Sequence, residues 1–256
     1  MFRCTSTFSR SLVVSCCAAV AVVGCAAPAL AIEPVDLGDA ESYSVLAGFS
    51  VTSTGPTAMS ESLGVSPASA LAGTPIVLGE THLGDAAAAT AKTSLDAAYG
   101  DAALRPGVPF GTADLIGKTY TAGVYNTPAA MGFSGGTLTL DGGGNPDAVF
   151  IFQIGGALTA AAATNVALVD KAQACNVFWV VGGSVTFGAA ARFTGTLMAD
   201  VGITVGANTR VDGRLMADDG AITMDSNAIH TARCATPPPV IVGPAGPAGP
   251  AGPTGP

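Results

Sequence analysis

Short runs in which apolar and polar residues alternate recur toward the C-terminal end of the chain, separated by glycine, alanine and aspartate. Residues 185–202 read VTFGAAARFTGTLMADVG and residues 203–221 read ITVGANTRVDGRLMADDGA, and a third unit, ITMDSNAIH, begins at 222. Val185, Ile203 and Ile222 correspond, as do Thr186, Thr204 and Thr223, and then Phe187, Val205 and Met224. Phe193, Val211 and Ile229 also correspond, and Gly195 matches Gly213. Each short strand reads apolar–Thr–apolar, so the threonine points away from its two neighbours. A unit of this length cannot bury its apolar side alone, whereas stacked units can. Three short strands joined by turns make one coil of a triangular β-helix. Leu158-Thr159-Ala160 followed by Thr164-Asn165-Val166 fits an earlier coil, and 137–140 and 148–152 are also strand-like.

One segment departs from the pattern. Residues 83–104 are rich in alanine and end before Pro106, which predicts a helix with Leu95, Ala98, Tyr99 and Ala102 on one face. A single such helix would lie along one side of the coils.

Composition sharpens this reading. Apolar residues make up 49% of the 256 and charged residues 11%, with 34 glycines. Small residues at that density suit close-packed, frequently turning backbone and do not suit a coiled coil, which needs charged flanking positions. The net charge is −8, and removal of Arg3 and Arg10 with the leader makes it 8 − 18 = −10, which excludes electrostatic binding to nucleic acid or anionic membranes.

Arg3 and Arg10, the apolar run 11–27 and the small residues Ala29 and Ala31 form an export leader, with cleavage expected after Ala31. Val22-Val23-Gly24-Cys25 resembles a bacterial lipobox, and lipidation there is the alternative. Cleavage leaves Cys175 and Cys234. In an oxidising compartment they form a disulfide closing a loop of roughly 60 residues, worth about 4 kcal/mol on the chain-entropy model, or else two buried thiols. Neither has a CxxC partner or a nearby histidine, so metal binding is not expected. The exported domain is expected to span 32–235. Beyond it, 236–256 combine a proline run with Gly-Pro-Ala triplets of collagen type.

Five stretches resemble the ice-binding-protein-like family of secreted microbial proteins. They are Tyr43-Ser44-Val45-Leu46-Ala47-Gly48, Leu63-Gly64-Val65-Ser66-Pro67, residues 115–125 (LIGKTYTAGVY), Asp147-Ala148-Val149-Phe150-Ile151-Phe152-Gln153, and residues 175–182 (CNVFWVVG). The resemblance covers about residues 38–234. It implies a right-handed, discontinuous β-solenoid of triangular section, a long helix inserted after the first coil segments, and N-terminal segments woven between later coils. It also implies an ice crystal surface as the partner.

Ice recognition needs a flat, rigid, repetitive surface of small groups. Thr159, Thr186, Thr204 and Thr223 form one candidate column. The family's loose T-A/G-x-T/N motif points to a second set, the four residues before Val166, Phe193, Val211 and Ile229, which contain Thr164, Thr209 and Ser226 but also Arg192 and Arg210. The two charges suit a flat face poorly. The alternative function is a cell-surface or extracellular-matrix adhesin or structural protein on the same scaffold without ice affinity, and attachment to a cell surface through the C-terminal tail is a further expectation. A trimer is expected only if the collagen-like tail is longer than the one present. No catalytic constellation or cofactor is expected: the only histidines are His82 and His230, and Gly142-Gly143-Gly144 lacks the following Gly-Lys-Ser/Thr of a phosphate loop.

Overall fold

A computed structural model describes residues 32–235; the leader, Cys25 and the proline-rich, collagen-like tail lie outside them. Every strand pair in it is parallel, and the strands stack into three faces of a triangular solenoid. The first face runs from Gly123–Thr127 through Phe150–Ile154 and Val177–Val181 to the second halves of Arg192–Ala199 and Arg210–Ala217. The second face runs Met131–Phe133, Leu158–Ala160, Val185–Phe187, Ile203–Val205, Ile222–Asp225. The third runs Thr119–Thr121, Thr137–Asp141, Asn165–Val169, then the first halves of the two long strands, then Ala228–His230.

The long strands turn the edge between third and first faces at a glycine. Gly195 has φ +109°, and a Cβ on its register partner Gly213 would sit 1.9 Å from the Gly195 carbonyl oxygen. No side chain fits there, which explains why both repeats carry glycine at that position.

The stack is continued by the N-terminal part of the chain. Tyr43–Ala47 pairs with Arg210–Ala217, Ser50–Thr54 with Ile222–Asp225, and Ala58–Met59 with Ala228–His230. A further coil, Ser62–Val65, Ala70–Ala72 and Ile76–Val77, follows, and Thr81–Leu83 ends that side. The discontinuity expected from the family resemblance is present. Interweaving is not: the N-terminal coils stack as one block beyond the last C-terminal coil, because the edges free to receive them are those of 214–217, 222–225 and 228–230.

The chain must then return to the other end of the stack. It does so as helix α1, Ala86–Leu104, slightly shorter than the expected 83–104. Ala88, Ala91, Lys92, Leu95, Ala98 and Ala102 are buried against the first face, while Tyr99 is half-buried. Small side chains let the helix lie close to the sheet. Polar ties fix both ends: Lys92 Nζ donates to the Asp218 carbonyl at 2.8 Å and pairs with its carboxylate, and Gln153 Nε2 donates to the Ala102 and Arg105 carbonyls, each at 2.7 Å.

The helix starts at Asp85, whose carboxylate accepts from Ala88 N at 2.9 Å and lies 2.8 Å from His82 Nδ1. The backbone bond from Ala88, with the His82 contact second, holds the Asp85 carboxyl below the usual aspartate range. A depressed acid pKa stabilises above the unfolded value and loses that contribution as pH falls through the folded one. Asp85→Ala should therefore lower the melting temperature at neutral pH. The gap from the parent should close as pH falls below the ordinary aspartate range; a gap independent of pH in a thermal melt series would contradict the assignment.

The solenoid interior is an aromatic and aliphatic stack. Trp179, fully buried, stacks on Phe152 with ring centroids 4.2 Å apart, meets Phe193 at 5.2 Å, and donates from Nε1 to the Thr194 carbonyl at 3.0 Å. Cys175 and Cys234 form a disulfide with Cα atoms 5.3 Å apart.

Candidate functional site

The helix covers the first face, which leaves two faces open. They differ sharply. On the second face, Leu158, Val185, Ile203 and Ile222 point inward with Ala160, Phe187, Val205 and Met224, all buried. The residue between each pair must point out. The outward residues are Thr159, Thr186, Thr204 and Thr223, direct register partners from rung to rung and all exposed.

The column does not end there. Thr52 is the register partner of Thr223 and is half-buried. Five threonines thus occupy five consecutive rungs, spanning about 19 Å at roughly 4.8 Å per step. Gly132 precedes them and Ala72 follows. Thr52 escapes sequence alignment because its rung is defined by a partner 171 positions away (223 − 52). Val51-Thr52-Ser53 departs from the apolar–Thr–apolar pattern at Ser53, which takes the inward position opposite Met224, and nothing local says where the run stacks.

The neighbouring outward columns are also small. Two residues before each threonine stand Ala157, Ser184, Gly202, Ala221 and Ser50, and two residues after stand Ala161, Gly188, Gly206, Asp225 and Thr54. No lysine or arginine occurs among them. Asp225 is the one charge, and its carboxylate accepts from the Ser226 hydroxyl at 3.0 Å. The result is a flat strip three residues wide with methyl and hydroxyl groups along its middle.

The motif-aligned residues occupy a different place. Ala163, Ala190, Asn208 and Ser226 have φ between +52° and +59° and form the left-handed turn at the edge between second and third faces. The next residue in each coil points inward. Thr164 is 3% exposed and Thr209 1%. Thr164 Oγ1 donates to the Ala161 carbonyl at 2.7 Å, and Thr209 Oγ1 donates to the Gly188 carbonyl at 3.0 Å while accepting from Ala191 N at 3.3 Å. Asn227 does the same work one coil on, donating to the Gly206 carbonyl at 2.8 Å. These hydroxyls and amides satisfy buried turn carbonyls. Thr164 and Thr209 are therefore corrected from surface candidates to interior turn residues, and Ser226 sits half-buried on the edge rather than on the strip.

Arg192 and Arg210 come next and open the third face, in register with each other. Arg210 pairs with Asp212 at 3.0 Å, an exposed contact whose hydrogen bonds raise the guanidinium pKa further. His230 is exposed on the same face. The two arginines do not interrupt the threonine column; they lie around a corner from it.

Residues 45–230 match the family described as ice-binding-like. The chain belongs to that family. An ice-binding protein of Nostoc sp. (strain HG1) is 39% identical over 206 residues, covering 79% of this chain and 76% of the relative. A crystal structure of an ice-binding protein from an Antarctic biological consortium superposes with a TM-score of 0.78 at 35% identity, covering 80% of this chain and 94% of that one. The ice-binding protein of the Antarctic ascomycete Antarctomyces psychrotrophicus superposes with a TM-score of 0.75 at 32% identity, over 78% of this chain and 99% of that one. The family fold, a β-solenoid with one flanking helix, is the fold found here.

Among the described residues there is no group of three or more His, Cys, Asp or Glu placed to hold a metal, and no helix long and apolar enough to cross a membrane.

Proposed function

We propose that this chain is an exported, non-catalytic protein that binds ice through the threonine strip of its second face. The observation that carries the reading is the unbroken register of Thr159, Thr186, Thr204, Thr223 and Thr52, flanked by small outward residues. The rung spacing repeats every coil, and each rung offers one methyl and one hydroxyl at a fixed height. Such groups order water in a lattice-like layer without drawing it into a charged hydration shell. The packed aromatic interior beneath holds the strip rigid, so little conformational entropy is lost on adsorption. The names of the relatives support ice as the partner and give none to an adhesin for some other surface.

The third face suits this role poorly, since Arg192, Arg210, Asp212 and His230 project strongly hydrated groups of unequal length. The tail beyond residue 235 serves as the attachment to a cell surface in this reading, and association into a trimer would require a longer collagen-like stretch. Partition into a slowly growing ice front tests the function directly. Purified mature protein should be enriched in the ice fraction relative to an inert protein of similar size; equal exclusion would refute the proposal.

A further inference from the structure

The five residues after the last strand are held at an unusual number of points. Thr231 N donates to Ser60 Oγ at 2.8 Å, and the Thr231 and Ser44 hydroxyls lie 2.8 Å apart. Arg233 pairs with Glu61 at 2.6 Å. Cys234 is bonded to Cys175, and Ala235 N donates to Gln173 Oε1 at 2.7 Å. Ser44, Ser60 and Glu61 belong to the N-terminal coils. Gln173 and Cys175 belong to the turn between Asn165–Val169 and Val177–Val181, several rungs back along the stack. The segment 231–235 is therefore a strap that runs along the edge between third and first faces. In a three-sided section, that edge lies opposite the second face.

We propose that the strap is an anchor. It fixes the point from which the chain beyond residue 235 leaves the domain, on the edge facing away from the threonine strip. Tension on the tail then enters the middle of the solenoid through the Cys175–Cys234 bond and not the Ala228–His230 strand, which only short ladders hold. The partner this geometry fits is a surface behind the protein, with ice in front. The inference rests on the ice-binding reading for its purpose, though the mechanical part stands on the strap alone.

Two measurements on the full mature chain test it. Biotin placed after residue 256 tethers the protein to streptavidin beads, and a Ser184→Cys variant tethers it through the threonine face. Beads of the first kind should capture ice, while the second should capture at least about tenfold less, because the tether forbids engagement of the strip. In an optical trap, with handles at residue 256 and at Ser184→Cys, the strap of the disulfide-bonded protein should hold until the domain opens. With Cys175→Ala and Cys234→Ala added, peeling of 228–235 should give an early extension of about 2–3 nm, from roughly 3.4 Å per residue. Loss of capture through residue 256 by a protein that still enters ice when free would overturn the proposal. So would the same early extension with the disulfide intact. A free protein excluded from ice would instead refute the functional reading, and the trap comparison would still decide the strap.

Discussion

Thr204→Tyr removes ice shaping and recrystallisation inhibition while leaving the melting temperature close to that of the parent. Thr204 sits at the middle of the five-threonine column, with matched threonines on the two rungs to either side. A phenol ring there stands proud of the strip and lifts the neighbouring rungs off a flat lattice. The residue is exposed and its backbone ladder is unchanged, so the stability change should stay within about 0.5 kcal/mol. Thr52→Tyr should weaken activity less, since Thr52 has a threonine on only one side and Ala72 on the other. Arg192→Thr and Arg210→Thr provide the control: lying on the third face, they should change ice activity by little. Ice-shaping assays on the four proteins decide the face. A strong gain from the arginine changes with no loss from Thr204→Tyr would place the working surface on the third face.

Trp179→Ala has the opposite signature, a large loss of stability at a position that never meets solvent. The indole is fully buried and stacked between Phe152 and Phe193, with Phe133 at 5.8 Å. Truncation leaves a cavity between Phe152 and Phe193 and removes the Nε1 donor from the Thr194 carbonyl, which it meets at 3.0 Å. Large aromatic truncations in cores cost about 3–5 kcal/mol, and the lost hydrogen bond adds to that. Denaturant unfolding should show the shift. Ice activity of the fraction that remains folded should persist, because the strip lies on the far side of Phe187 and Val205 from the cavity. A loss below about 1 kcal/mol would mean that neighbouring rungs collapse into the space.

Much of this architecture was legible in the chain. The apolar–Thr–apolar runs at 185, 203 and 222 gave both the strand direction and the column, because alternation is a local property. Two of the stretches that carry the family resemblance, Tyr43–Ala47 and Val177–Val181, are buried along their whole length. They lie between the solenoid interior and the covered side of the first face, and burial on both sides writes a continuous apolar run that is easy to recognise. The candidate site was harder. Thr164 and Thr209 look like surface threonines because a left-handed alanine or asparagine before each one swings it inward, and nothing in alternation reveals that swing. Thr52 was missed for a different reason: polar Ser53 breaks the apolar–Thr–apolar pattern, and its rung is set by a long-range pairing. Arg192 and Arg210 appeared to spoil an ice-binding surface only while the corner between faces was unplaced.

The placement of the N-terminal coils has a consequence for the order of folding. Residues 43–83 emerge first during synthesis, yet the strands they dock on, 210–217, 222–225 and 228–230, emerge last. Until then the first coils have no template, although α1 can already pack on the 150–154 and 177–181 strands of the first face. The central coils can stack as they appear, but the molecule closes only when the last repeat is complete. Contacts of such long sequence separation slow folding, because loop closure must precede the reward from pairing. A ribosome stalled before residue 210 would therefore hold a half-solenoid with an open edge, and Thr52 could join the threonine column only once 222–225 had emerged.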